Sequence, residues 1–242
     1  MDITQLILDD HHEQRRLFAI LEQIDPADTG ILEAIWARLS AFLEVHAAAE
    51  EEIFYPELLR VGLSGGGAAG AEAETLDAIH DHNDIRDAIA AVAGHQAGTS
   101  EWFAAVAAVN VANGDHMAEE EREGLTDFRR RASLPLRHRL AVAFAAFEAR
   151  HVAGVPAVDK DPETYVREAE QGLAAGGVTG RPDGSLGIGR LGRGAGQGAP
   201  EPRPDRRPRR HRARRTGPGG WAIGCCGGNR ARAAGVFVMK RL

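Results

Sequence analysis

The sequence predicts an all-α chain: an antiparallel four-helix bundle, one or two further helices after it, and a disordered tail. Three observations carry this reading. Apolar residues recur at helical spacing in four long segments, the links between those segments are short, and the first pair of segments is written a second time about seventy residues later.

The first segment, residues 3 to about 24, places Ile7, Leu8, His11, Phe18 and Leu21 on one stripe and ends before Asp25-Pro26, since the residue before a proline disfavours helix. His11 lies in the stripe; His12, about 100° further round, does not. The second segment starts after Asp28-Thr29-Gly30, with Ile35, Leu39, Phe42, Leu43, His46, Glu50 and Ile53 on one face. A carboxylate here holds a core position, and an ionised Glu without a partner is costly to bury, so a cation compensates it or the stripe meets water at that point. Tyr55-Pro56 is expected to kink or end the helix, and Ser64 to Gly70 (SGGGAAG) reads as the flexible loop between the repeats.

The third segment, about 72 to 93, aligns Ile79, His82, Ile85, Ile89 and Val92, while His80 shares the other side with Asn83 and Asp84. The fourth opens after Thr99-Ser100, with an N-cap preference, and runs to about Arg131, with Val106, Val109, Asn113, His116 and Glu120 on one face. Leu134 to Val152 reads as a fifth helix and Asp161-Pro162-Glu163 as the start of a sixth. The expected organisation is a bundle over 1–131, accessory helices packed on it over 132–172, and a Gly/Arg/Pro-rich tail over 173–242.

Charge divides the chain in the same place. Residues 1–172 carry 14 Lys+Arg against 32 Asp+Glu, net −18; residues 173–242 carry 15 against 3, net +12. The acidic part repels nucleic acid and anionic membrane, so small molecules or cations are its expected partners. The tail, with RPDRRPRRHRARR at 203–215, admits phosphate contact as one reading. The other is a frameshift after about Gly192, because its Gly/Arg/Pro/Ala bias is what an out-of-frame reading of GC-rich coding sequence yields. The only cysteines, Cys225 and Cys226, stand in that tail, so neither a disulfide framework nor a thiolate metal site supports the bundle. No run reaches the roughly 18 apolar residues of a membrane span and no leader is recognisable at the start; the expectation is a cytoplasmic protein.

The repeat concentrates chemistry. His46 and Glu50 stand four apart, as do His116 and Glu120, which stacks each pair on one helical face. Upstream companions match: Asp10-His11 with Arg15, and Asp81-His82 with Arg86. His11 to His82 spans 71 residues; His46 to His116 and Glu50 to Glu120 span 70. Face to face, two such units bring together four imidazoles and two carboxylates, a nitrogen and oxygen set suited to iron, zinc or manganese. Six protein ligands exceed what one tetrahedral zinc needs. Two metals fit better, with Glu50 and Glu120 bridging them.

These residues resemble the hemerythrin-like HHE cation-binding family, whose pattern is His, then His-x-x-x-Glu, then both again. The likeness spans residues 3 to about 130, and is closest to actinobacterial and mycobacterial members that append helices after the bundle. It implies two non-haem iron ions, oxo- or hydroxo-bridged, held by His11, His46, Glu50, His82, His116 and Glu120. Relatives bind oxygen, sense oxygen or iron, react with nitric oxide, or decompose hydrogen peroxide. Oxygen-carrying members have five His with one Glu and one Asp, including two His four apart on the third helix. Here that helix has His80 and His82, two apart, and the set is one imidazole short. The resemblance therefore favours catalase-like peroxide chemistry or reaction with oxygen or nitric oxide; the alternative is a sensor or store for oxygen, nitric oxide or iron. Tyr55, five residues after Glu50, is the candidate catalytic residue, with Glu51 and Glu121 as further proton-shuttle candidates.

Overall fold

The computed structural model describes residues 1–176, and every secondary-structure element in them is helical. Of the expected tail, residues 173–176 continue the last helix instead; residues 177–242, with the suspected change of reading frame and the basic stretch, lie outside the described residues.

Helices α1 (Ile3–Leu21) and α2 (Thr29–Ala49) form the first hairpin, and α4 (Ala68–Val92) and α5 (Ser100–Arg122) the second. Both hairpins are antiparallel. The start of α1 shares one apolar cluster with the end of α2, through Ile3, Ile7, Val45 and Ala49. The end of α1 joins the start of α2, the end of α4 and the start of α5 in a second cluster of Leu17, Leu21, Leu32, Val92, Trp102 and Val106. Buried polar residues fill the layer between the clusters, where the bundle's interior would otherwise be continuous hydrocarbon.

Local chemistry sets the helix ends. Asp2 accepts from the Thr4 amide at 3.1 Å, Thr99 from the Trp102 amide at 3.2 Å, and Ser133 caps the helix that follows it, each satisfying a donor that the first helical turn leaves free. Gly98, at φ 86°, brings the α4–α5 link so close to Pro26 that a Cβ would lie 2.2 Å from its carbonyl oxygen.

After Ala49 the helix does not simply stop. Residues Glu50–Phe54 form a π-helical turn, with the Tyr55 amide donating to the Glu50 carbonyl, and α3 (Tyr55–Gly65) continues from it with Pro56 in its first turn. The expected loop of Ser64 to Gly70 is much shorter: α3 runs to Gly65, Gly66 at φ 75° ends it, and α4 already begins at Ala68. Gly70 lies inside α4, where the alanines around it favour helix. The expected fourth segment is two helices, α5 and α6 (Gly124–Arg131), broken at Glu123. Gly124 packs its bare Cα against Glu74, where a Cβ would meet Oε1 at 2.7 Å.

Helix α7 (Leu134–Arg150) lies on α1, α2 and the π turn, burying Leu136, Leu140, Phe144 and Phe147. Helix α8 (Pro162–Gly176) packs on α3 and α4. None of the described helices is long and apolar enough to cross a membrane.

Candidate metal centre

The polar layer is where the two hairpins face each other. His11 on α1, His46 on α2, Glu50 at the head of the π turn, His82 on α4, and His116 and Glu120 on α5 all converge there, each at most 4% exposed. His80, by contrast, is 68% exposed and points to Asp84.

All four imidazoles are oriented alike. Each turns Nδ1 outward to a carboxylate: His11 to Glu121 at 2.9 Å, His46 to Asp10 at 3.2 Å, His82 to Glu51 at 2.8 Å and His116 to Asp81 at 3.4 Å. An ionised carboxylate only accepts, so Nδ1 carries a proton, and in the neutral ring that a metal requires Nε2 faces inward with its lone pair. The inward atoms crowd one another. His46 Nε2 lies 2.9 Å from Glu50 Oε1, His82 Nε2 3.4 Å from Glu50 Oε2, and His11 Nε2 3.4 Å from Glu120 Oε2. His82 and His116 bring their Nε2 atoms within 3.2 Å, a separation that two lone pairs tolerate only with a proton or a cation between them.

The bracing follows the repeat with a cross-over. Asp10 and Asp81 each hold the second His of their own repeat. Glu51 and Glu121 reach across, Glu51 from the first repeat to His82 of the second, and Glu121 from the second to His11 of the first. The arginines four after His11 and His82 complete the pattern, Arg15 on Glu121 at 2.8 Å and Arg86 on Glu51 at 2.7 Å. Arg86 also donates to Glu44 at 3.2 Å. Sequence reading had Glu51 and Glu121 only as shuttle candidates, and Asp10, Asp81, Arg15 and Arg86 only as marks of register. Their recurrence at the same offsets was the available signal; the cross-over between repeats is not written in any local spacing.

Charge is unevenly resolved in this layer. Burial lowers His11 to about 4 and outweighs the lift from Glu121. Burial opposes a charge on His46 too, but Glu50 and Asp10 raise its pKa well above the usual imidazole value. For Glu50, burial is overcome by His46 and His82, which hold the carboxyl well below its usual range. Burial, and then the charge of Glu50, push Glu120 well above that range. Glu51 is held down to about 2: burial would raise it, but His82, Arg86 and Lys160 prevail.

Five inward atoms, His11 Nε2, His46 Nε2, both oxygens of Glu50 and Glu120 Oε2, are buried without a hydrogen-bond partner. Buried polar atoms are normally paired, and a cluster of orphaned donors and acceptors of this type is what ion coordination leaves for an ion to satisfy. Among the described residues, three compact groups could hold a metal ion: His11, His46 and Glu50; Glu50, His82 and His116; and Asp10, His46 and Glu148. Glu50 belongs to the first two and stands between the hairpins. Glu120 lies beside the first through His11, and its other oxygen accepts from the Tyr55 hydroxyl at 3.1 Å.

Tyr55 is fully buried, and the π turn is what aims it here. Five residues after Glu50, it would sit about 140° away on an α-helix; the wider turn brings it back towards the same face. Burial, then the charges of Glu120 and Glu50, raise its pKa well above that of a free phenol, so it stays a proton donor. A space of about 10 Å³, lined by Glu74, Asp77, Asp81, His116, Glu119 and Glu120 among others, adjoins the centre and is about the size of one water.

Compared with known proteins, the hemerythrin HHE cation-binding domain matches over residues 2–125, more than half of the 242 and inclusive of all six converging residues. No curated protein and no solved structure matches the chain.

Proposed function

The chain belongs to the hemerythrin HHE cation-binding family, a metal-binding family of the iron type, and we propose that it holds two non-haem iron ions between its repeats. His11 and His46 serve one and His82 and His116 the other, with Glu50 shared and Glu120 as the second carboxylate; oxide or hydroxide completes the set. The observation that supports this most is the cluster of orphaned inward atoms, all nitrogen and oxygen donors, in a protein whose described part has no thiolate. Neutral imidazole and carboxylate suit iron, and the outward carboxylates fix each ring and strengthen its donation.

The reaction read from this site is disproportionation of hydrogen peroxide, or reaction with oxygen or nitric oxide, in the cytoplasm. The two irons would supply one-electron redox chemistry and paired positions for the two oxygens of a small molecule. The protein's own residues do the rest. Tyr55 keeps a proton within the centre, its hydroxyl donating to Glu120 at 3.1 Å, and can supply it to a small molecule held there. The packing of α7 and α3 excludes water, and the adjoining space of about 10 Å³ favours ligands no larger than a few atoms. A sensor or store would use the same site without turnover.

Metal content and the visible spectrum of aerobically purified protein, followed by addition of peroxide with an oxygen electrode, test the reading. About two irons per chain, a charge-transfer band and sustained oxygen release are expected. Two irons without turnover would leave the sensor or store, and a metal-free protein would sink the di-iron assignment.

A further inference from the structure

The two cross-repeat carboxylates do not share the same surroundings. Glu121 accepts from His11 and Arg15, and its side chain is 29% exposed. Glu51 accepts from His82 and Arg86, is 1% exposed, and takes a further cation: Lys160 Nζ lies 2.7 Å from its Oε2. The segment carrying Lys160 is pinned in place. Its amide donates to Asn83 Oδ1 at 3.1 Å, Asn83 Nδ2 donates to its carbonyl at 2.7 Å, and the Tyr165 hydroxyl donates to the Glu51 carbonyl. The ammonium also lies 5.4 Å from the centre of the Tyr165 ring. Among the described residues nothing stands on Glu121 as Lys160 stands on Glu51, and Lys160 falls beyond the 2–125 span of the family match.

We propose that Lys160 is a positioning residue that makes the two halves of the iron centre unequal, so that the first electron entering the centre resides on the His82–His116 side. The proposal rests on the di-iron reading above. A carboxylate that accepts from the outer N–H of a metal-bound imidazole strengthens that ring as a donor and so favours the ferric ion. A second cation on the same carboxylate weakens the effect; Lys160 is 37% exposed, but Glu51 is buried, so water and salt screen the pair only in part. With buried Arg86 and half-exposed Lys160 both on buried Glu51, His82 donates less than His11, whose part-exposed carboxylate has one half-exposed arginine. The iron beside His82 is then the easier to reduce, ferric to ferrous by one electron from an added reductant.

The test is a reductive titration of the iron-loaded full-length chain with dithionite. The first midpoint potential and the paramagnetic resonance signal at half reduction are read for the wild type, Lys160→Gln, Lys160→Met, Lys160→Arg and Tyr165→Phe. Both uncharged variants should keep two irons and shift the first reduction about tenfold towards the ferric form, about 59 mV for one electron. The half-reduced signal should shrink as the two steps merge. Lys160→Arg should restore both readings, and Tyr165→Phe, which keeps the charge, should leave them near wild type. Unchanged potentials in Lys160→Gln and Lys160→Met overturn the proposal, as does a shift of the same size in Tyr165→Phe, which would mark a packing effect. Iron content of the wild type separates this from failure of the di-iron reading, since a chain without an iron pair removes both.

Discussion

Set against each other at offsets of 71 for α1 and α4 and 70 for α2 and α5, the two repeats agree at Asp10 and Asp81, His11 and His82, Arg15 and Arg86, His46 and His116, Glu50 and Glu120, and Glu51 and Glu121. Around these positions they part. Where the second repeat has Glu74, Asp77 and Glu119, the first has Ile3, Leu6 and Ala49. The apolar side of the first repeat is covered by α7, whose Phe144 meets the His46 ring at 5.8 Å, whereas the acidic side of the second borders the small space next to His116. What stays equal is what an ion pair between the hairpins would require; what differs decides which side is sealed and which stays polar. Lys160 adds to the difference by acting on Glu51 alone, and Tyr55 by having Leu125 as its counterpart in the second repeat.

The strongest challenge to the equal part removes both central carboxylates. Glu50→Ala with Glu120→Ala is expected to abolish iron loading, read as metal per chain, because each half loses its anionic donor; retention of one iron would show that the halves bind independently. Next come the cross-repeat carboxylates. Glu51→Ala leaves buried Arg86 with Glu44 alone and the buried His82 N–H without its acceptor, and should cost about 3 kcal/mol in denaturant unfolding. Glu121→Ala leaves the half-exposed Arg15 to water and the His11 N–H without its acceptor, and should cost less, about 1–2 kcal/mol. Equal losses would break the comparison.

Tyr55→Phe probes the asymmetry at the centre itself. Losing the hydroxyl that donates to Glu120 should leave iron content unchanged and lower oxygen release from peroxide by about a hundredfold, if the phenol supplies the proton. The smallest effect belongs to Glu74, which burial and then the charge of Glu123 push up to about 7. Its folded pKa lies above the unfolded one, so the protonated group favours the fold below pH about 4.5, and that contribution is lost as pH rises through 7. Discounted for partial exposure, the loss is about 1 kcal/mol. Glu74→Gln should flatten stability between pH 5 and 8, measured by denaturant unfolding of the metal-free protein.

The fold class and the convergence of the six residues were legible because helical spacing is local and the repeat states it twice. Three features were not. The cross-over of Glu51 and Glu121 depends on how one hairpin lies on the other, and adjacent carboxylates such as Glu50-Glu51-Glu52 read from sequence as a solvated run. Lys160 and Glu148 reach the centre from helices and links far along the chain, with no repeated partner to flag them. The Ser64 to Gly70 loop was overread because glycine weakens a helix by only about 1 kcal/mol, which the burial of Ala71 and Thr75 in α4 can offset.

The π turn at Glu50–Phe54 has a consequence for how such a centre changes over generations. It holds one residue more than an α-helical path would, and the second repeat has no counterpart, with Leu125 at the position matching Tyr55. One added residue ordinarily turns all that follows it by about 100°; the wider turn takes it up, and the chain beyond keeps its bearing. Removing Ile53 would close the turn to an ordinary α-helical path and set the phenol four residues after Glu50, still on its face. A one-residue deletion, ordinarily a lesion inside a helix, is here one that the helix can absorb with its internal proton donor still in place.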